Sequence, residues 1–339
     1  MREHTNLRAF EDIEPGEIHQ SGPYKVTREE ILAFARMYDP QPFHLDDAAA
    51  EASVLGGLAA SGWHTTAIGM FLYFHGFVKH VAGMGAQGVD EVRWLRPVKP
   101  GDELTLQISI PATRPSASRP DRGFISVVID MRNGAGETVM TERFSMMVQR
   151  RGASQDIRPP LAPHLLQAGA PAGQPPANLK LCGFLDEAEI GTEFELGSQL
   201  FTPDSIIAFA QSFDPQYFHL DPERAKESHF GGLAASGWHT AALWMKNYID
   251  ARTRSAALRQ SQGLPAAVPG PSPGFANMKW HRPVLAGETI GFQTKATGIR
   301  RLTRPGWGLL ESFNTGRAAD GAVVFSFEGR ILWPFAPGV

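Results

Sequence analysis

Hydrophobic and polar positions repeat along the chain in two series, each opening with a helical pattern. Thr27 and Glu30 form a capping box before the apolar positions of the first helix. In the second series, Thr202 precedes Pro203, which suits the first helical position. Both patterns stop at an Asp-Pro step, because a residue before proline is pushed out of the helical region. A short helix is therefore expected to start each series, followed by a polar loop.

A longer apolar stretch comes next and predicts a buried helix that runs to about His80 in the first series and about Arg254 in the second. Three or four strands are then expected in each series, separated by turn signals such as Asn133-Gly134. The clearest alternating segments are 104–110, 124–131, 139–148, 289–297, 308–315 and 323–332. Strands that follow helices indicate an α+β fold with an antiparallel sheet. The segment 83–88 matches G-x-G-x-x-G, but it precedes a strand at 89–94, so we interpret it as a glycine-rich loop.

The two series are an internal repeat. FARMYDPQPFHLD at 34–46 and FAQSFDPQYFHLD at 209–221 share nine of thirteen residues at an offset of 175. GGLAASGWHTT at 56–66 and GGLAASGWHTA at 231–241 share ten of eleven at the same offset. Later blocks are offset by 186, which places an irregular insertion near 260–273. The predicted domains are 1–150 and 178–339, joined by a linker rich in Pro, Ala and Gly at 151–177.

A largely apolar helix beside an antiparallel sheet is expected to be wrapped by that sheet, the arrangement of the hotdog fold. Two tandem copies would form an internal pseudo-dimer, because paired sheets cover each other's edges. Further association of this pseudo-dimer into a homo-oligomer stays open.

Composition and charge narrow the function classes. The 339 residues carry a net charge of −3, which gives no general attraction for nucleic acid. One cysteine, Cys182, and a start without a basic, apolar leader favour a cytoplasmic location. The apolar stretch near 63–82 contains His64 and Lys79, which argues against a membrane partner. The repeated histidines lack the short paired spacing of a metal site, so no metal is expected.

The candidate chemistry lies in polar residues that both copies contain. An Asp five residues before a His on a tight loop can hold carboxylate and imidazole around one water. The Ser-Gly-Trp step at the start of each long helix offers free backbone N–H groups to a carbonyl oxygen that gains charge. The candidate residues are Asp39, Gln41, His44, Ser61, Gly62 and Trp63 in the first copy, and Asp214, Gln216, His219, Ser236, Gly237 and Trp238 in the second.

DPQPFHLD and DPQYFHLD resemble the hydratase motif of MaoC-like dehydratases and (R)-specific enoyl-CoA hydratases, in which the order is D-x-N-P-x-H. The resemblance implies that Asp39 with His44, and Asp214 with His219, are catalytic pairs. It further implies that Gly62 and Gly237, each 23 residues after its Asp, contact the thioester oxygen. Three departures stand out: Gln41 and Gln216 replace the motif Asn, and Tyr217 replaces the Pro before Phe218. In addition, a Ser found on the central helix of some members corresponds to Met70 and Met245.

The resemblance implies a tandem hotdog enzyme that adds water to a 2-enoyl-CoA, or removes it from an (R)-3-hydroxyacyl-CoA, without a cofactor. The partner would be the acyl-CoA substrate. Some basic residues, among them Arg96 and Arg282, are candidates for contacts with the CoA phosphates. Two alternatives stay open. One is a hotdog thioesterase, although no Asp or Glu occurs between Trp63 and Ala82, and Asp250 lies late on the second helix. The other is a noncatalytic acyl-CoA-binding module.

Overall fold

The strands of both copies form one continuous antiparallel sheet. A computed structural model describes residues 7–153 and 173–337, so most of the predicted linker lies outside the described residues. In these residues the sheet has ten strands in the order β1-β3-β4-β5-β2-β7-β10-β9-β8-β6. They are β1 (Glu17–Lys25), β2 (Gly83–Trp94), β3 (Glu103–Pro115), β4 (Arg122–Arg132), β5 (Thr138–Gln149), β6 (Glu193–Leu200), β7 (Gly274–Trp280), β8 (Thr289–Arg301), β9 (Trp307–Arg317) and β10 (Val323–Pro334). The predicted α+β class is confirmed.

The helices lie on one face of this sheet and follow the same order in both copies. They are α1 (Arg28–Tyr38), α2 (Asp47–Ala52), α3 (Gly62–Gly76), α4 (Pro203–Phe213), α5 (Tyr217–Leu220), α6 (Pro222–Lys226) and α7 (Gly237–Ser261). The described residues also include the 3-10 turns Phe10–Asp12, Pro42–His44, Val78–His80, Leu179–Cys182 and Leu185–Glu187. Thr27 and Glu30 form the predicted capping box, and Thr202 caps α4 with Pro203 at its first position.

The two halves meet where β2 pairs with β7, in the middle of the sheet. Gly88 and Gly274 occupy equivalent positions on these strands. A Cβ on Gly88 would lie 2.1 Å from the Met278 carbonyl oxygen, and one on Gly274 would lie 2.0 Å from that of Val92. Only glycine allows the strands to approach this closely. The interpretation of 83–88 as a loop was therefore wrong: these residues belong to β2, and Gly88 serves strand pairing.

The long helices α3 and α7 are buried against the sheet and against each other, and one apolar core continues through both halves. Trp63 at the start of α3 stacks on Phe275 of β7, with ring centroids 5.0 Å apart and planes 9° from parallel. Apolar side chains from one copy therefore complete the core of the other.

Some element boundaries differ from those predicted. Helix α3 ends at Gly76, before a separate 3-10 turn that ends at His80, while α7 continues to Ser261, beyond Arg254. A strand precedes the first α-helix of each copy, β1 before α1 and β6 before α4, and the sequence pattern did not reveal either strand. The polar block after α1 and α4 forms a short helical turn in each copy instead of a plain loop. None of the helices in the described residues is long and apolar enough to cross a membrane.

Candidate active site

Each copy buries an aspartate at the point where its first helix ends. Asp39 is the C-cap of α1 and Asp214 the C-cap of α4, and only 2% and 4% of their surfaces are exposed. Their backbone angles are nearly the same, with φ/ψ of −148°/67° and −146°/67°. The Asp-Pro step thus ends the helix and turns the carboxylate inward.

Two side chains hold each carboxylate by hydrogen bonds. In the first copy, Gln41 Nε2 donates to Asp39 Oδ1 at 2.9 Å and Ser61 Oγ donates to Asp39 Oδ2 at 2.6 Å. In the second copy, Gln216 Nε2 and Ser236 Oγ donate to Asp214 at 2.9 and 2.7 Å. The glutamine that replaces the family's asparagine therefore reaches the aspartate directly.

The histidine of each copy has a defined tautomer. The Nδ1 atom of His44 lies 2.7 Å from the carbonyl oxygen of Ala59, and that of His219 lies 2.7 Å from the carbonyl oxygen of Ala234. Because a carbonyl oxygen only accepts, Nδ1 must carry the proton and donate, which leaves Nε2 of the neutral ring as an acceptor. This Nε2 faces the carboxylate.

The gap between imidazole and carboxylate is slightly longer than a direct hydrogen bond. His44 Nε2 lies 3.7 Å from Asp39 Oδ2, and His219 Nε2 lies 3.4 Å from Asp214 Oδ2. Two acceptors at this separation are suited to one water molecule that donates a hydrogen bond to each. The structure thus brings the predicted Asp and His together in both copies.

The environment of Asp214 favours its charged form. Burial by itself raises the pKa of a carboxyl group, but the His219 imidazole, which attracts the carboxylate when it is protonated, and the hydrogen bonds from Ser236 and Gln216 outweigh it, so the pKa of Asp214 is lowered from its ordinary value. An ionised carboxylate at neutral pH can accept a proton.

Gly62 and Gly237 are the first residues of α3 and α7, and both border a cavity. A Cβ on Gly62 would lie 2.5 Å from the ring of Trp94, and one on Gly237 would lie 2.2 Å from the ring of Trp280. Glycine is therefore required for the helix start to pack against this tryptophan. The first N–H groups of a helix have no partner within the helix, so the N–H groups of these glycines are available donors.

The cavity at each Asp is completed by the other copy. The cavity beside Asp39 has a volume of about 330 Å³ and includes Met245, Tyr248 and Arg252 of α7 among its walls. The cavity beside Asp214 has a volume of about 390 Å³. Its walls include Met70 and Tyr73 of α3, Arg119 and Arg122, and Glu142 of β5. The sequence did not reveal that each copy contributes wall residues to the other copy's cavity, because this arrangement depends on the pairing of β2 with β7.

The central helices of the two copies differ at one equivalent position. In the second copy, Trp244 stacks on Tyr248 with centroids 5.1 Å apart and meets Phe327 edge-on at 4.7 Å. In the first copy, the equivalent of Trp244 is Gly69, which leaves that space to neighbouring methionine side chains.

The tryptophans and histidines at the helix starts have different positions. Trp63 and Trp238 border the two cavities. His64 and His239 are buried and stack on phenylalanines of α1 and α4, with centroids 4.6 and 4.8 Å apart. Burial lowers the pKa of His64 to about 4 and that of His239 to about 3, so both rings are neutral at pH 7.

Several charged candidates have structural partners. Arg282 makes a bidentate ion pair with the buried Glu288, at 2.7 and 3.0 Å, whereas the equivalent Arg96 makes only an exposed pair with Glu137, at 3.3 Å. Asp250, the acid that a thioesterase on the second helix would use, pairs with Lys246 of the same helix at 2.5 Å.

Comparison with known proteins identifies the family of this chain. Residues 12–119 and 186–306 match the family model described as a MaoC like domain. The chain belongs to the MaoC-like domain family. An uncharacterized protein, YdeM of Bacillus subtilis (strain 168), is 44% identical over 66 residues, a match that spans 20% of this chain and 47% of that relative. The chain thus matches about half the length of this curated relative.

Two solved structures have the same fold over nearly the whole length. A MaoC domain protein of Chloroflexus aurantiacus J-10-fl is 17% identical, with a TM-score of 0.74 over 98% of this chain and 99% of that chain. A conserved hypothetical protein of Mycobacterium tuberculosis, described as having a double hotdog fold, is 14% identical, with a TM-score of 0.70 over 97% and 99%. The predicted resemblance to MaoC-like dehydratases and the predicted double hotdog fold are both confirmed.

Proposed function

We propose that this MaoC-like protein is a hydratase or dehydratase of acyl-CoA thioesters, which interconverts a 2-enoyl-CoA and an (R)-3-hydroxyacyl-CoA. The observation that carries the proposal is the facing pair of acceptors, Asp Oδ2 and His Nε2, beside a helix N-terminus at a cavity in each copy. Membership in the MaoC-like family supports a hydro-lyase, and the acyl-CoA substrate is the finer part of the proposal.

In the hydration direction, a water that donates to both acceptors presents a lone pair of its oxygen to the β-carbon of the enoyl thioester. The bond between this oxygen and the β-carbon forms as the π electrons move toward the thioester carbonyl. The N–H of Gly62 or Gly237, together with the helix dipole, stabilises the enolate oxygen. The carboxylate or the imidazole takes the proton that the water loses, and the protonated group returns a proton to the α-carbon, so that one water is added in total and the site is regenerated.

The remaining polar residues position these groups. Ser61 and Ser236 each donate to the aspartate and also cap the helix whose glycine binds the thioester oxygen. One hydroxyl therefore sets the base and the oxyanion donor relative to each other. Gln41 and Gln216 hold the other carboxylate oxygen, so that Oδ2 faces the imidazole.

The test is loss of the absorbance of the conjugated enoyl thioester with crotonyl-CoA and a longer 2-enoyl-CoA. Wild-type protein is expected to consume both substrates, and the double variant Asp39→Asn, Asp214→Asn to lose activity by a factor of about 10² or more, as expected for removal of a general base. The matched control is Asp204→Asn, which changes an exposed aspartate of α4.

Full activity in the double variant would overturn the assignment of the aspartates. Release of free CoA thiol with no change in the double bond would instead indicate a thioesterase. Tight binding of the thioester with neither reaction would indicate a binding module.

A further inference from the structure

Glu142 is an acidic residue at an inward position of β5. Along this strand, Met140, Glu142, Phe144 and Met146 all point inward and are buried. Glu142 is 4% exposed, and its side chain borders the cavity that contains Asp214 and His219 of the other copy. A carboxyl group thus lies among apolar side chains of β5, in a cavity wall to which the first copy also contributes Arg119 and Arg122.

The Glu142 carboxyl group lacks a protein partner. Across residues 7–153 and 173–337, no side chain or backbone group donates a hydrogen bond to it. The hydroxyl of Tyr73, which borders the same cavity, donates to the sulfur of Met146 instead. Buried carboxyl groups are normally satisfied by hydrogen bonds, so a carboxyl that is open only to a cavity is suited to a partner that enters the cavity.

The protonation state of Glu142 defines the chemistry of this partner. Burial raises its pKa to about 8, so the group is mostly neutral at pH 7. A neutral carboxyl group both donates and accepts a hydrogen bond. An uncharged group with the same dual capacity, such as a hydroxyl, matches it, whereas a methyl group would leave it unsatisfied.

The second copy has no counterpart to this carboxyl group. Met140 pairs with Trp94 across the sheet, as Phe325 pairs with Trp280, and Glu142 and Phe327 each lie two residues further along. Phe327 packs against Trp63, Trp244 and Phe275. The feature therefore belongs to the Asp214 site alone.

We propose that Glu142 is a specificity-determining residue of the Asp214 site, which selects acyl chains that carry an uncharged hydrogen-bonding group, such as a hydroxyl, on the part of the chain distant from the thioester. The proposal rests on the proposed function of this site. The Asp39 site, with Phe327 at the equivalent position, lacks this selection and takes alkyl chains.

The test compares 2-enoyl-CoA substrates of matched length that end in either a methyl or a hydroxymethyl group, over a series of chain lengths. The Asp39→Asn background restricts turnover to the Asp214 site. Each kcat/KM is divided by that of the same variant with crotonyl-CoA, so a general loss of folded protein cancels. At one or more lengths, the hydroxyl substrate is expected to be preferred by about 10- to 100-fold, since an unsatisfied buried group is costly.

Two substitutions separate hydrogen bonding from shape. Glu142→Gln keeps a donor and an acceptor and is expected to retain most of the preference. Glu142→Leu removes both and is expected to abolish or reverse it. In the Asp214→Asn background, where only the Asp39 site turns over, no preference for the hydroxyl is expected.

Equal rates for both substrate types at every length, or a preference that survives in Glu142→Leu, would overturn the proposal. Such results leave the proposed function intact provided that crotonyl-CoA is hydrated. Failure to hydrate crotonyl-CoA or any other member of the series would overturn the proposed function and this proposal with it.

Discussion

The hydroxyl of Ser236 offers a direct test of how the site holds its base ionised. It donates to Asp214 Oδ2 at 2.7 Å and accepts from the backbone N–H of Trp238 at 3.2 Å. Ser236→Ala removes both interactions without adding atoms. The variant is best studied in the Asp39→Asn background, so that activity reports on one site.

The expected shift follows from the strength of the hydrogen bond. A hydrogen bond to a charged group contributes about 1.5–3 kcal/mol, and about 1.4 kcal/mol corresponds to one pKa unit. Loss of the Ser236 donor should therefore raise the pKa of Asp214 by about one to two units. The pKa of this aspartate is lowered in the folded protein, so its ionised form is present above that pKa and lost as the pH falls through it. The acid limb of the activity profile should move to higher pH by the same one to two units.

The assay is kcat/KM for crotonyl-CoA from about pH 2.5 to about pH 9, a range that includes the acid limb of an aspartate whose pKa is lowered. Ser236→Gly is the matched variant, because glycine at an N-cap costs only a few tenths of a kcal/mol, while alanine costs about 1 kcal/mol. Both variants should shift the acid limb equally but differ in free energy of unfolding. Ser61→Ala, which affects only the silenced site, should leave the profile in place. An active Ser236→Ala variant with an unshifted acid limb would refute the reasoning.

Three further outcomes follow from the structure. Arg282→Ala should lower the free energy of unfolding by about 3–5 kcal/mol, because it leaves the buried carboxylate of Glu288 without its ion-pair partner. Arg96→Ala, which removes an exposed ion pair, should lower it by less than about 1 kcal/mol. Denaturant titration measures both values, and equal values would contradict the difference in burial. Because the pKa values of His64 and His239 are lowered, the unfolded chain binds protons that the folded protein does not, and stability should fall as the pH drops below about 6.5. Replacing both with Gln should flatten this decline between about pH 7 and pH 5, and an unchanged slope would count against it. Asp39→Asn should lower the turnover of long 2-enoyl-CoA substrates with plain alkyl chains more than Asp214→Asn does, since Glu142 borders the Asp214 cavity and not the Asp39 cavity; equal losses, measured by product analysis, would contradict this.

The parts of the fold that could be predicted are those determined by interactions between residues close together in the sequence. The capping box of Thr27 and Glu30 depends on three residues of spacing, and the Asp-Pro steps end their helices by local sterics. The strands β1 and β6 were missed. In β1 no side chain is fully buried and in β6 only that of Leu196 is, so neither strand has an apolar core face, and pairing with β3 and β8 at the sheet edges determines them. The segment 83–88 was misread for the same reason, since the role of Gly88 depends on a strand from the other copy.

Some residues of the candidate site could likewise be predicted from the sequence, and others could not. Asp39 and His44 could be paired from their spacing, and the structure brings them together as expected. The hydrogen bond from Ser61 to Asp39 joins residues that are 22 positions apart in the sequence. It forms only when the start of α3 packs beside the end of α1, so the sequence did not indicate it. Glu142 gave one usable signal, an acid in the inward register of an apolar strand. Its proximity to Asp214 is a property of the paired sheets and could not be read from either copy alone.

Joining two hotdog copies in one chain removes a constraint that a symmetric dimer would impose. In a homodimer, one sequence builds both cavities, so a substitution in the wall of one appears in the other. Here the groups at the reacting end are nearly identical in the two copies, as the matched hydrogen bonds of Asp39 and Asp214 show. The distant walls are not, since Glu142 borders the cavity of Asp214, whereas the equivalent Phe327 packs against Trp63, Trp244 and Phe275. Such a division is what two sites with one chemistry and different acyl chains require, because changes far from the reacting carbon alter which chain binds without moving the base, the imidazole or the helix start.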